Sequence, residues 1–357
     1  MSGRVVETVL GPVPAADLGV TLAHEHLLAD LTNWFSPPAE GDPDAPVTLA
    51  NLHAISRRPL GTTRQNLLLD DEELALAELA EFAALGGRSV VDMTIEGIGR
   101  DPEALARLAR ASGLNVVMGC GYYVESAHPA YVRELDADAI AARLVGEIEH
   151  GVGETGVRPG VIGEIGLTGL PRGVEGRRKV GPMTPEEEKV LRGAARASLA
   201  TGLSVSVHID PLEPRAGLPA IDVLEQEGVD PSRIVIDHVD QVQELDYHLA
   251  LAARGVYVEY DSLGRDFYSD EWEPGFAWGH DSWRIPFAMR LIEAGHGDQL
   301  LFSQDVCLKS ELLAYGGRGY AHVLRSVVPT LRHRGVDEAA VRRILVDNPA
   351  RAFGVER

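Results

Sequence analysis

His24-Glu25-His26 closes the apolar run Gly19 to Leu22, and no other pattern in the chain is better suited to chemistry. Residues i and i+2 of a strand share a face, so the two imidazoles converge where one divalent ion could bind both. Four later segments repeat the grammar: Gly160-Val161-Ile162-Gly163-Glu164, Leu203-Ser204-Val205-Ser206-Val207-His208, Arg233-Ile234-Val235-Ile236-Asp237-His238 and Leu300-Leu301-Phe302-Ser303-Gln304-Asp305. Each is an apolar, strand-like run whose last residues are metal-ligand types. Branched apolar side chains fill barrel cores, so strand ends carrying His, Glu or Asp point to a site instead.

The elements that would position these residues follow from periodicity. Short β-like runs alternate with helical patterns, which is the signature of βα units and a parallel sheet. Eight strands are predicted: Val20 to His24, Ser89 to Met93, Asn115 to Gly119, Val161 to Ile165, Ser204 to His208, Ile234 to His238, Val256 to Tyr260 and Leu301 to Asp305. Eight is the number that closes a (β/α)8 TIM barrel. Between them, apolar residues at helical spacing predict helices at Asp71–Leu85, Pro102–Ala111, Ala137–His150, Pro185–Ala200, Pro219–Glu227, Leu245–Ala253, Trp283–Ala294 and Glu338–Val346. Thr184-Pro185-Glu186-Glu187 reads as an N-cap, a first-turn proline and acidic residues that suit the helix dipole.

If the strands close in order, the ends of the first, fourth, fifth, sixth and eighth surround one mouth. His24, His26, Glu164, His208, His238 and Asp305 then converge there. Packing that many ionisable groups together without a cation would leave desolvated carboxylates uncompensated. Four imidazoles and two carboxylates exceed the need of one tetrahedral zinc and suit two ions roughly 3.5 to 4 Å apart, one carboxylate bridging. Two connections are unusually long, Leu27 to Leu69 and Ser262 to Ser282, and both follow strands at the carboxyl end of the barrel. The second carries Phe267, Tyr268, Trp272, Phe276 and Trp278, candidates for a lid and specificity wall.

Composition narrows the class. The 357 residues hold no linker or repeat, only a short basic loop from Arg172 to Gly181, and read as one domain over 1–357. A net charge of −21 opposes contact with nucleic acid or anionic lipid. Cys120 and Cys307 form no spaced framework and read as core or near-site thiols of a reducing compartment. With no apolar signal core after Met1, a cytoplasmic protein is expected. His53, His128, His280 and His322 have no partner pattern and are expected at the surface or in loops.

These motifs resemble the phosphotriesterase family of the amidohydrolase superfamily. The likeness is carried by His24-Glu25-His26 after Thr21-Leu22-Ala23, by Gly163-Glu164-Ile165-Gly166, His208 and Asp237-His238, and by Ser303-Gln304-Asp305. Gly119-Cys120-Gly121-Tyr122-Tyr123-Val124, Tyr257-Val258-Glu259-Tyr260-Asp261 and Tyr315-Gly316-Gly317-Arg318-Gly319-Tyr320 are similar to its phosphotriesterase-related, resiniferatoxin-binding branch. The resemblance implies two divalent ions, usually zinc. His24, His26 and Asp305 would hold the more buried one, His208 and His238 the more exposed one, with Glu164 bridging and a homodimer favoured. Where phosphotriesterases proper carry a carboxylated lysine, this chain has Glu164.

Two divalent ions set against Glu164, Asp305 and a bridging hydroxide leave a centre of about +1, able to generate hydroxide near neutral pH and to stabilise an oxyanion. Asp305 would accept the proton and pass it toward the leaving group. Tyr123 matches a substrate-facing tyrosine of lactonase members, although Tyr122 could equally be the one pointing inward. Those lactonases carry an arginine where this chain has Ser262, with Arg265 nearby as the substrate-binding candidate. The expected activity is hydrolysis of a carboxyl ester, lactone or amide of a small molecule. The competing readings are organophosphate hydrolysis, a one-metal barrel lyase or aldolase, and non-catalytic binding of an apolar ligand.

Overall fold

The computed structural model describes residues 3–171, 179–210 and 214–356; of the basic loop, residues 172–178 lie outside these. Eight parallel strands pair in chain order: β1 (Thr21–Glu25), β2 (Ser89–Asp92), β3 (Asn115–Cys120), β4 (Val161–Leu167), β5 (Val205–Ile209), β6 (Ile234–Ile236), β7 (Tyr257–Tyr260) and β8 (Leu300–Phe302). The circle is completed between β8 and β1, where the His24 amide donates to Ser303 Oγ at 3.1 Å and the Asp305 amide donates to the His24 carbonyl at 3.2 Å. With helices packed around it, this is the predicted TIM barrel.

β-Branched residues give the strands both their propensity and their core. Ala23, Val91, Met93, Val117, Val161, Val235 and Leu301 fill the barrel interior, with Leu18 and Phe353 plugging one end. The outward faces pack against the helices. The predicted cap at Thr184 forms, with Glu187, a reciprocal capping box ahead of Pro185–Thr201, and Asp101 accepts from the Ala104 amide ahead of Pro102–Ser112. Glu187 also receives the Thr168 and Gly169 amides, so one carboxylate fixes both that helix and the segment leaving β4.

Strands six and eight end earlier than predicted. Their ladders stop at Ile236 and Phe302, and His238 and Asp305 adopt left-handed backbone with φ of 59° and 50°. The ligand-type side chains are therefore aimed by turns beyond the ladder, in a conformation costly for residues with a Cβ and held only by surrounding structure. An N-terminal hairpin, Arg4–Thr8 and Gly11–Pro14, pairs with Val355–Glu356 in a small antiparallel sheet absent from the sequence reading. Its apolar residues meet the barrel floor, and the Val9 amide donates to the Val116 carbonyl. No helix among the described residues is long and apolar enough to cross a membrane.

Candidate metal centre

Glu164 lies at the centre of the mouth. Its Oε1 is 3.4 Å from His26 Nε2, and its Oε2 is 3.0 Å from His208 Nδ1, 3.5 Å from His238 Nε2 and 3.7 Å from His24 Nε2. The local backbone requires glycine. Gly163 has φ of 139°, and a Cβ there would stand 2.6 Å from the Ser206 carbonyl oxygen, while a Cβ on Gly119 would meet the Gly163 oxygen at 2.2 Å. Only glycine lets β3, β4 and β5 approach closely enough to bring Glu164 among the histidines.

Three of the four histidines are oriented from behind by an oxygen. His24 Nδ1 faces Glu259 at 3.4 Å, with Asp261 and Asp237 at 3.7 and 3.8 Å. His26 Nδ1 is 2.9 Å from Thr94 Oγ1, and His238 Nδ1 is 2.9 Å from Asp261 Oδ1. The other Asp261 oxygen accepts the His238 amide at 2.9 Å, which holds the left-handed turn. Glu25 does the same for the β8 end. Its carboxylate accepts from Ser303 Oγ, the Gln304 amide, Gln304 Nε2 and the Val306 amide at 2.7 to 2.8 Å, clamping Asp305 between them.

The chemistry of this donor set fits divalent cations. His24-His26-Glu164 and Glu164-His208-His238 each bring three ligand atoms within 4.8 Å of one another, all buried. Buried His24 Nε2 has no hydrogen-bond partner among the described residues, and His208 Nδ1 lies 2.8 Å from His238 Nε2, the two nitrogens sharing Glu164 Oε2. Burial alone would raise the Glu164 carboxyl, but the charge of His24 and hydrogen bonds from the other histidines hold it well below the usual range. Burial opposes charge on His26 as well, yet Asp305 and Glu164 raise it to about 10. The cluster demands positive charge, whether protons or metal ions supply it. Behind it, burial raises Asp237 and Glu259 well above the carboxylate range, helped by the Glu259 charge for Asp237 and by the Asp261 charge for Glu259.

Asp305 joins the cluster with Oδ1 3.4 Å from His26 Nε2, while its Oδ2 pairs with Arg265 at 3.0 Å. Arg265 also pairs with Glu311 at 2.8 Å, so its guanidinium is engaged by two carboxylates and positions Asp305, while still lining the pocket where it was expected to bind substrate. Of the two tyrosines, Tyr123 points into the mouth, its hydroxyl 3.4 Å from His208 and accepting from Trp34 Nε1 at 3.3 Å. Tyr122 does not. Its hydroxyl meets Tyr131 and Arg143 on the helix side, because neighbours along an extended chain face opposite ways.

The two long loops meet above the site, where Tyr268 and Asp270 donate backbone bonds to Ser56 and Arg57. Leu31, Trp34 and Leu60 from one and Phe267, Trp272 and Trp278 from the other wall the pocket. Tyr268 instead lies outside under the Arg57 guanidinium. Cys307 lines the pocket and Cys120 is buried, both as free thiols. Two histidines expected at the surface or in loops are buried and structural. His128 is buried between the Tyr123 carbonyl and Glu186, and His322 bonds Asp281 at 2.7 Å. Sequence reasoning also missed Glu25, Asp237, Glu259 and Asp261, although acids at i and i+2 at the end of β7 were a readable signal.

The phosphotriesterase family model matches residues 4–353. The N-acetyltaurine hydrolase of Rattus norvegicus is 35% identical over 98% of this chain and 97% of its own length. Among solved structures, a resiniferatoxin-binding protein from Rhodobacter sphaeroides superposes with a TM-score of 0.91 at 40% identity, covering 99% of this chain and 95% of that one. The phosphotriesterase homology protein from Escherichia coli, complexed with phosphate in its active site, gives 0.75 at 30% identity, covering 94% and 99%. A barrel of this topology, a buried carboxylate among four histidines and these whole-length likenesses together make the chain a hydrolase that belongs to the phosphotriesterase family.

Proposed function

We propose that the chain is a hydrolase dependent on two divalent metal ions, zinc in the first instance, acting on the planar carbonyl of an N-acyl amide, lactone or carboxyl ester. The observation that carries this reading is Glu164, one buried carboxylate lying within 3.0 to 3.7 Å of four imidazoles, so that two ions could share it. His24, His26 and Asp305 would hold one ion and His208 and His238 the other. When bound, such ions polarise a carbonyl and lower the pKa of water.

The chain's own residues supply the rest. Asp305 is the proton acceptor. Burial would raise its carboxyl, but Arg265 and His26 keep it ionised, and Arg265 at 3.0 Å fixes its orientation. Tyr123 presents its hydroxyl beside His208, where a substrate oxygen would lie. The aromatic wall excludes water and receives the apolar part of the substrate, which strengthens every polar interaction inside. Glu164 is a shorter arm than a carboxylated lysine, so a site tuned to a bulky tetrahedral phosphorus centre does not carry over. N-acetyltaurine hydrolases among the relatives make an amide carbonyl the first substrate to test. The experiment is a hydrolysis screen of the zinc-loaded protein against N-acetyltaurine, N-acyl amino acids, lactones, aryl esters and an activated aryl phosphotriester. The reading stands if an amide, lactone or ester gives the highest kcat/KM and is abandoned if the phosphotriester does.

A further inference from the structure

The end of the barrel opposite the catalytic mouth carries a cluster that hydrolysis does not use. Arg4 at the start of the N-terminal hairpin, Arg233 directly before β6 and Arg351 in the final helix line one recess of about 310 Å³ with Tyr257, Ser232, Gln299 and a single carboxylate, Asp298. Neither Arg4 nor Arg233 has a carboxylate within ion-pair distance among the described residues. Among the described residues Arg351 has only the Asp298 carboxylate, at 3.7 Å, which Arg343 holds more closely at 2.9 Å. Gathering guanidinium groups is unfavourable unless something neutralises them, and this chain has a surplus of acids from which partners could have been drawn.

The recess is built rather than accidental. Arg233 is anchored by donating to the Ala352 and Gly354 carbonyls at 3.2 and 2.9 Å, which fixes one edge of its fork and leaves the rest for a ligand. Its guanidinium is pushed down first by burial and then by the Arg4 charge, against a smaller opposing pull from Tyr257, Asp230 and Glu356. Tyr257 is 6% exposed and stands against all three arginines. Gln299 Oε1 is buried with no hydrogen-bond partner among the described residues, an acceptor awaiting a donor.

We propose that this recess is a binding site for a tetrahedral oxyanion of the phosphate class, free or as a monoester. Planar guanidinium forks match phosphate oxygens two at a time, and the hydroxyl of a hydrogen phosphate would serve Gln299. The site is separate from the metal centre, lying where the strands begin rather than where they end.

The test is isothermal titration of the metal-free, full-length protein with inorganic phosphate at ionic strength held constant with chloride. Removing metal matters because the Escherichia coli relative holds phosphate in its active site. One saturable equivalent per chain is expected, weakened about tenfold or more in Arg4→Gln and in Arg351→Gln. Glycerol 2-phosphate in a parallel titration distinguishes the sources: binding of both anions, or of inorganic phosphate alone, supports the site and says which it takes. Absence of saturable binding, or wild-type affinity retained in both variants, overturns it. Should Arg351→Gln lose the wild-type circular dichroism spectrum, Arg4→Gln, on an edge strand, decides alone.

Discussion

His248 provides the sharpest quantitative test of how the strand six turn is held. Its Nε2 is 2.7 Å from the Val242 carbonyl, which can only accept, so that nitrogen carries the proton and Nδ1 must accept from the Tyr260 hydroxyl at 2.5 Å. The ring is neutral, and burial lowers its pKa to about 4. The unfolded chain takes up this proton near pH 6.5 whereas the folded one does not until about pH 4. Stability from this group is therefore intact above pH 6.5 and lost progressively as pH falls toward 4. Between pH 7.5 and pH 5.0 that loss works out to about 2 kcal/mol. His248→Gln keeps a donor for Val242 and an acceptor for Tyr260 without titrating. Urea unfolding of the metal-free proteins at both pH values should show wild type losing about 2 kcal/mol more than the variant. Carboxyls with the opposite sign, such as Asp92, raised by burial to about 6, occur in both proteins and cancel. A difference below about 0.5 kcal/mol would refute the buried neutral imidazole and its pinning of the turn that carries His238.

Three substitutions address the centre itself. Glu164→Gln keeps the shape and removes the charge shared by two cations; zinc affinity by competition with a chelator should fall about a hundredfold or more, and unchanged affinity would mean another group bridges. Activity recovered on reconstitution should be indifferent to added bicarbonate. Asp305→Asn should lower kcat by about 10² to 10⁴ while metal content by elemental analysis falls far less, and parallel losses would reduce Asp305 to a ligand only. Gly163→Ala places a Cβ 2.6 Å from the Ser206 carbonyl oxygen at a φ of 139°, and a loss of about 2 to 4 kcal/mol in urea unfolding is expected; a near-neutral effect would show that β4 and β5 can part there.

Much of this architecture was legible because it repeats. Val205–Ile209 announces itself by an apolar run with His208 near its end, Val161–Leu167 by the apolar run into Glu164 although the strand continues past it, and the helix Pro185–Thr201 by its cap at Thr184. What stayed hidden depends on partners distant along the chain. Glu25 looks like a spacer between two histidines until Ser303, Gln304 and Val306, some 280 residues away, donate to it. The left-handed turns at His238 and Asp305 carry no glycine to signal them, because Asp261 and the Glu25 clamp enforce them from outside. The pairing of Arg265 with Asp305 and Glu311 was hidden too, since nothing in its own segment shows either carboxylate. Tyr122 and Tyr123 could be separated only once β3 had a defined inside.

The most direct test of the central claim is metal stoichiometry. Purified protein, loaded with zinc, freed of excess metal and analysed for metal against protein concentration, should hold close to two ions per chain, because Glu164 stands within ligand range of both histidine pairs. His26→Ala should lower that content while the circular dichroism spectrum is retained. One ion per chain, or none, would contradict a centre built around a shared carboxylate.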